Sequence, residues 1–489
     1  MKLVRTLSAF VIAVMLSVTT VSAAPYQNYV YNANQEPEAE PQAYVPEQVY
    51  NGASFGVSGF SGPQDIFLAE SGLLYVADTG NNRIVICNLE TGTAETIDRY
   101  VNNGAEQSFA SPSGIFVTQT GTLYIADTQN QKIVVLNKAG ELITIIQSPT
   151  AMGEKLDFEY MPTDVVVDFA GRVYVVSQNC LDGILQFDAD GSYMGHFGAI
   201  RTNPTATYLF WKSLASEEQR ESMTLVVPTE YSGIDMDADG FVYGTVSAVD
   251  TTNLDKTMFV HRLNSLGKDV LKRNGVESPM GDLKYTYDST TGTYDVSRLN
   301  DICVQEYGFY SVLDSNKGRI FTYNKNGDLL YIFGAKGAEG GQFGDPKAID
   351  ADKSNRMFVL DAAYNQIVTF VPTIYATTIR SAYVANYTYD YDAAEKLWFA
   401  ALKYTSKSDL VFREIGKLYI DRGDYEKAME YLNLAGDREN YSKAFVFERR
   451  QWIEENAVIL VLVSVLVIFS VVIKHSPFFY LIDYLRLTS

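Results

Sequence analysis

The stretch GPQDIFLAESGLLYVADTGNNRIVICN, from Gly62, returns 49 positions later as SPSGIFVTQTGTLYIADTQNQKIVVLN, from Ser111. Each copy gives an apolar strand, a turn at Gly, a second strand ending in Asp, a polar loop and a third strand, with period-two alternation and turn residues recurring at fixed offsets. The pattern continues from Met161, Tyr231, Leu299 and Asp345. Successive copies lie about 50 residues apart, twice lengthening to about 68, the range of propeller blades. One such unit has two apolar sheet faces and nothing to bury them against; a closed ring of six buries both. The expected fold is an all-β six-bladed propeller over residues 46–372.

Two segments also carry a family resemblance. LYVADTGNNRIVI (Leu74–Ile86) and LYIADTQNQKIVV (Leu123–Val135) resemble the NHL repeat. The likeness extends over roughly residues 60–372 and is weakest in the fourth copy, where Val246 stands in place of the usual Asp. It implies a six-bladed ring with four strands to each blade.

The last copy has clear strands only as far as Pro372, so its outer strand is missing. The apolar-polar segment AYVPEQVYNG (Ala43–Gly52) precedes the first copy and can supply it. The two long spacings hold inserts at 199–230 and 264–298. The first contains an expected helix, Thr205–Met223, with Phe210 and Trp211 beside Leu209 and Leu214. Inserts and polar loops emerge on one face of the ring, which makes that face the expected binding surface. The residues expected there are Asp78, Asn82, Arg83, Asp127, Asn130, Trp211, Asp314, Arg319 and Asp361. A competing role exists for the four aspartates, since each carboxylate can accept amide N–H groups of its own loop. The arginines can brace neighbouring blades.

Asp235, Asp237, Asp239 and Gly240 match the opening of an EF-hand loop, but the twelfth position is Val246 rather than Glu. In the repeat frame this segment is a strand, an Asp-Gly hairpin turn and a second strand, which need no metal. Three scattered cysteines (Cys87, Cys180, Cys303) and three isolated histidines (His196, His261, His475) offer no disulfide framework and no zinc site. No catalytic constellation and no cofactor site is legible. A net charge of −20 argues against nucleic acid as a partner.

Lys2 and Arg5, then an apolar run and the sequence VSAA, read as a signal peptide over residues 1–24. Residues 25–45, rich in Pro, Gln and Glu, read as an extended spacer. After Pro372 the period changes to helical. FREIGKLYIDRGDYEKAMEYLNLA resembles a tetratricopeptide repeat through Phe412, Ile415, Gly416, Tyr419, Gly423, Tyr425, Ala428 and Ala435. An all-α tetratricopeptide-like domain is expected over 373–456. Ala457–Ile473 carries no charge and, at about 1.5 Å per residue, reaches a membrane's width. It reads as one transmembrane helix with a cytoplasmic tail at 474–489 and the bulk of the chain outside the cytoplasm.

The expected function is a membrane-anchored extracytoplasmic binding or scaffold protein with a protein or glycan partner on the loop face. NHL propellers joined to such helices resemble envelope proteins that accompany sugar-uptake transporters, so the resemblance implies a transporter complex. A second class is a metal-dependent gluconolactonase-like hydrolase, whose channel metal takes Glu, Asn and Asp ligands that cannot be placed here. A peptide-amidating lyase of the same fold needs more histidines than His196 and His261.

Overall fold

The computed structural model describes residues 26–199, 230–247, 258–275, 279, 281–282, 287–288, 293–294, 297–405 and 408–474. The signal-peptide segment, the insert with Phe210 and Trp211, and the tail from 475 lie outside the described residues. The chain divides into two compact units, residues 1–31 with 37–377, and residues 32–36 with 378–489.

The first unit is a six-bladed propeller. Blade one comprises Asp65–Leu68, Leu73–Asp78, Arg83–Asn88 and Thr93–Ile97, paired in chain order as an antiparallel sheet. Blade two (Pro112–Val117 to Leu142–Gln147) and blade three (Pro162–Val167 to Tyr193–Phe197) repeat that plan. Blade four has three strands among the described residues, Tyr231–Met236, Val242–Val246 and Val260–Leu263. Blade five begins at Leu299–Val304 and blade six at Pro346–Ala351.

The second strand of each blade is apolar at successive positions because both its faces are covered. In blade one, Leu74 and Val76 pack with Ala348, Phe358 and Leu360 of blade six. The alternate residues, Tyr75 and Ala77, pack with Ile115, Ile125 and Val134 of blade two. The pleat thus shares one strand between two cores, and each fully buried aliphatic side chain contributes about 1.5–3 kcal/mol to holding neighbouring blades together.

Blade six is completed by Tyr44–Tyr50, which pairs antiparallel with Gln366–Pro372. This is the place the closure expectation gave to residues 43–52. Tyr44 is fully buried and stacks on Phe333 of blade five at 4.6 Å.

Within the expected spacer, residues 29–31 and 37–39 are strands. Tyr29–Tyr31 pairs with Pro37–Ala39 and, through Tyr29 and Ile332, with the outer strand of blade five, making a six-stranded sheet. Composition misled here because an open sheet edge binds any extended segment by its backbone, and tyrosines supply the packing. Val30 is buried and Tyr31 nearly so, and the Tyr31 hydroxyl donates to Asp282 at 2.6 Å.

The C-terminal unit is helical. Six α-helices are described: α1 (Ile374–Tyr387), α2 (Tyr391–Ala401), α3 (Asp409–Arg422), α4 (Tyr425–Leu434), α5 (Arg438–Glu455) and α6 (Ala457–Lys474). Asp390, Ser408, Asp424 and Asp437 cap α2 to α5, each accepting an amide N–H of the first turn. Trp398 is fully buried and meets Tyr383 edge-on at 4.9 Å. The apolar side chains of α6 are exposed along its length, from Val458 to Ile473. No single helix among the described residues is long and apolar enough to cross a membrane. The pair α5 and α6 passes that test together, bent by 69° at Asn456.

Candidate functional site

The inner strands surround the ring axis, and equivalent positions can be matched by their pairing to the second strands. Asp65, Gly114, Asp164, Gly233, Asp301 and Ala348 oppose Ala77, Ala126, Val176, Thr245, Leu313 and Leu360. Blades one, three and five therefore carry an aspartate where blades two, four and six carry a small residue. Two residues further on, blades four and six carry Asp235 and Asp350.

Each of these five carboxylates joins two blades. One oxygen accepts the amide of the next residue in its own strand at 2.7–2.8 Å. The other reaches the next blade. Asp65 accepts from Ile115, Asp164 from Ile234, Asp235 from Val304, Asp301 from Ile349 and Asp350 from Leu68, at 2.6–2.8 Å. Five of the six junctions are latched in this way. Blade two carries Phe116 in that position, packed against Phe67 of blade one at 5.2 Å, so the junction of blades two and three has no such latch. There the hydroxyls of Ser113 and Thr128 donate to the Pro162 carbonyl.

The small residues follow from this closeness. A Cβ on Gly114 would stand 2.6 Å from the Asp164 Cα, and one on Gly233 would stand 2.8 Å from the Asp301 Cα. Both glycines are set by contact with the next blade.

Burial raises all five carboxyls. Asp164 is pushed up to about 7, Asp350 to about 6, and Asp235 to about 8, with the Asp350 charge adding to the effect at Asp235. Asp65 and Asp301 are raised well above the usual carboxylate range by burial and by the facing Asp164. Cys303, whose thiol donates to Asp350 at 3.7 Å, is raised by the same burial and by the surrounding carboxylates. The space between these groups is a constriction of about 40 Å³, little more than a water molecule.

Above the constriction the axis opens into a mouth of about 440 Å³. Its rim holds Gln64, Ser113, Thr163, Ser232, Asn300 and Lys347, the residue before the matched position in every blade. In blades two to six the inner strand is bulged at this residue, between Pro112 and Gly114 and at the equivalents. A bulge turns a side chain out of the alternation, here towards the axis. Thr79, Thr128 and Gln129 from the polar loops reach the same mouth, so it opens on the loop face.

The residues expected on that face have definite places. Asp78, Asp127, Asp314 and Asp361 are fully buried. Asp78 accepts the Ser61 amide and the Asn81 and Arg83 side chains. Asp127 accepts the Ala110 amide and Asn130. Asp314 holds the Arg298, Asn316 and Lys317 amides, and Asp361 those of Gly344, Asp345 and Ala363. Burial raises Asp127 and Asp314. Arg83 braces its own blade through Asp78 and Ser58. Asn82 sits in the left-handed region and its side chain accepts the Ser111 amide at 2.7 Å, tying blade one to the link before blade two.

Arg319 lies elsewhere, on a second cavity of about 630 Å³ formed with Tyr26, Tyr29, Tyr31, Glu40 and Asp282. It donates to the Tyr29 hydroxyl at 2.6 Å and pairs with Asp282. Trp211 lies outside the described residues. The three EF-hand-like aspartates diverge. Asp235 faces the axis, while Asp237 closes the hairpin turn by accepting the Asp239 and Phe241 amides and pairs with Arg262.

The axial residues do not fit the divalent ion that a gluconolactonase-like site takes. Both oxygens of each aspartate already bind backbone amides. Among the described residues no group of three or more His, Cys, Asp or Glu side chains is placed to hold a metal.

Residues 67–156 match the family described as the SMP-30/Gluconolactonase/LRE-like region, and residues 261–441 match a family described as a 6-bladed beta-propeller. Comparison with curated proteins gives no match. Among solved structures, the chain is similar to selenomethionine substituted virginiamycin B lyase from Staphylococcus aureus, with 11% identity, 66% of this chain, 98% of that chain and a TM-score of 0.42. It is similar also to a streptogramin B lyase, with 14% identity, 68% and 100% coverage and a TM-score of 0.42. A protein of unknown function from Bacteroides thetaiotaomicron gives 12% identity, 71% and 76% coverage and a TM-score of 0.42. Likeness this remote bears on neither ligand nor chemistry. What the family matches support for this chain is a gluconolactonase-like region within a six-bladed β-propeller.

Proposed function

We propose that the chain is a membrane-anchored extracytoplasmic binding protein that takes a polar ligand, a glycan or a protein side chain, at the propeller mouth. One observation carries this reading. Five inner-strand bulges and Gln64 line one mouth with six equivalent polar side chains, above a narrow space of about 40 Å³ between the axial carboxyls. Such a site holds and orients a ligand. The tetratricopeptide-like helices act as a spacer, and the exposed apolar α6, charge-free as far as Ile473, enters the bilayer. The partner class named by the resemblance, a sugar-uptake transporter, fits this placement.

The test compares wild type with Gln64→Trp, which fills the mouth at a side chain that donates to the nearby Gly62 and Pro63 carbonyls. Glycan arrays and capture from membranes in mild detergent are expected to lose signal in the variant while its melting curve is unchanged. Equal binding by both proteins removes the mouth from consideration.

The match of residues 67–156 to the gluconolactonase-like region favours a hydrolase as the second reading. A stoichiometric, chelator-sensitive metal together with lactone turnover by the purified protein would establish it against the binding role.

A further inference from the structure

We infer that α5 is an interfacial helix that lies along a lipid bilayer surface; this rests on the reading that α6 enters the bilayer. At about 100° per residue, Tyr441, Phe445, Val446, Trp452 and Ile453 fall within an arc of about 140°. All five are exposed. Arg438 and Arg449 lie within the same arc and Glu448 on its margin, so in an acidic chain this face carries more positive than negative charge.

The other side of α5 is already occupied. Ala444 is fully buried, and Phe447 meets the Tyr425 ring of α4 at 5.5 Å. Along the flank, Lys443 pairs with Glu439 and Arg450 with Glu454, as on a helix side facing water. The helix therefore has a domain side, a water side and an apolar side that is exposed among the described residues.

Continuity with α6 names what covers the apolar side. The two helices meet at Asn456 with a bend of 69°. With α6 near the membrane normal, that bend lays α5 within about 20° of the membrane plane. Tyr and Trp favour the headgroup level, and arginine stems run past apolar neighbours to reach phosphates. A helix with such a face and this inclination lies in the interface instead of crossing it.

The three cysteines Cys87, Cys180 and Cys303 are buried, so introduced cysteines can be labelled selectively. The full chain, with an environment-sensitive fluorophore at Phe445→Cys, Val465→Cys or Lys443→Cys, is reconstituted in phosphatidylcholine vesicles with and without phosphatidylglycerol. Shallow and deep lipid-borne quenchers and aqueous iodide then report the depth of each label. The expected result is loss of most signal at position 465 to the deep quencher, at 445 to the shallow one and at 443 to iodide. A label at 445 quenched by iodide alone, with 465 quenched from the lipid, overturns the interfacial helix and leaves the anchor standing. A label at 445 shielded from every quencher also overturns it, since protein then covers that face. Iodide quenching at 465 overturns the anchor and with it this inference.

Discussion

Asp350 and Leu68 lie 282 positions apart, and the Asp350 carboxylate accepts the Leu68 amide at 2.6 Å. The bond crosses from the last blade to the first. Its other oxygen takes the Ala351 amide, so a single part-buried side chain satisfies two backbone donors at the seam of the ring.

Removing that carboxylate strands both donors. Asp350→Ala is expected to lower unfolding stability by about 1–3 kcal/mol, the cost of leaving part-buried amides without their acceptor. Asp350→Asn keeps one acceptor and should lose less. Chemical denaturation of the three proteins decides the matter; an Asp350→Ala curve that overlays wild type would sink the latch.

The axial carboxyls make stability fall as pH rises. Their folded values are raised, with Asp350 at about 6, Asp164 at about 7 and Asp235 at about 8, whereas an unfolded aspartate titrates near ~3.9. Above the unfolded value the unfolded chain gives up protons that the folded ring keeps, so each group costs stability progressively up to its folded value and no more beyond it. Melting temperatures should be higher at pH 5 than at pH 8, and Asp235→Asn should flatten the slope. A curve rising from pH 5 to pH 8 contradicts the assignment.

Closure depends on the N-terminal strand. Tyr44→Ala, which removes a fully buried ring stacked on Phe333, is expected to cost about 3–5 kcal/mol. Deleting residues 43–52 should lower the melting temperature by several degrees. Calorimetry of both variants checks this, and an unchanged melting temperature in the deletion refutes strand-supplied closure.

The loop positions Asn82 and Gln131 are both left-handed, at φ +53° and +56°. Asparagine tolerates that region better than glutamine does. Gln131→Asn is expected to stabilise the protein by about 0.5 kcal/mol, whereas Asn82→Ala adds strain, leaves the Ser111 amide without its acceptor and should cost about 1–2 kcal/mol. Opposite signs of the two changes in urea titration are the result to look for.

Much of the fold was legible because a blade is a local object. The unbroken apolar run in Leu73–Asp78 states that both strand faces are buried, and the missing outer strand after Pro372 points back to residues 43–52. The site was not legible to the same degree. Asp78 and Asp127 drew notice because their motif is loud, yet they serve their own loops. Asp65, Asp164 and Asp301 passed unnoticed, and Asp235 looked like part of a cation loop. Setting the six copies in register would have exposed the column that alternates aspartate with Gly or Ala, and the polar column just before it.

The sequence by itself determined the number of blades, the faces of their strands, the helical character after Pro372 and the charge-free run of α6, because each follows from the period of apolar residues along a short stretch. Only the tertiary structure decided which residues meet. Closing the ring brings one register position from every blade to the axis, and there the Asp350 carboxylate finds the Leu68 amide of a strand that pairs nowhere with its own. It likewise decided that residues 29–31, with 37–39 beside them, join the sheet of blade five, since a free sheet edge accepts an extended partner through its backbone, which no side-chain pattern records.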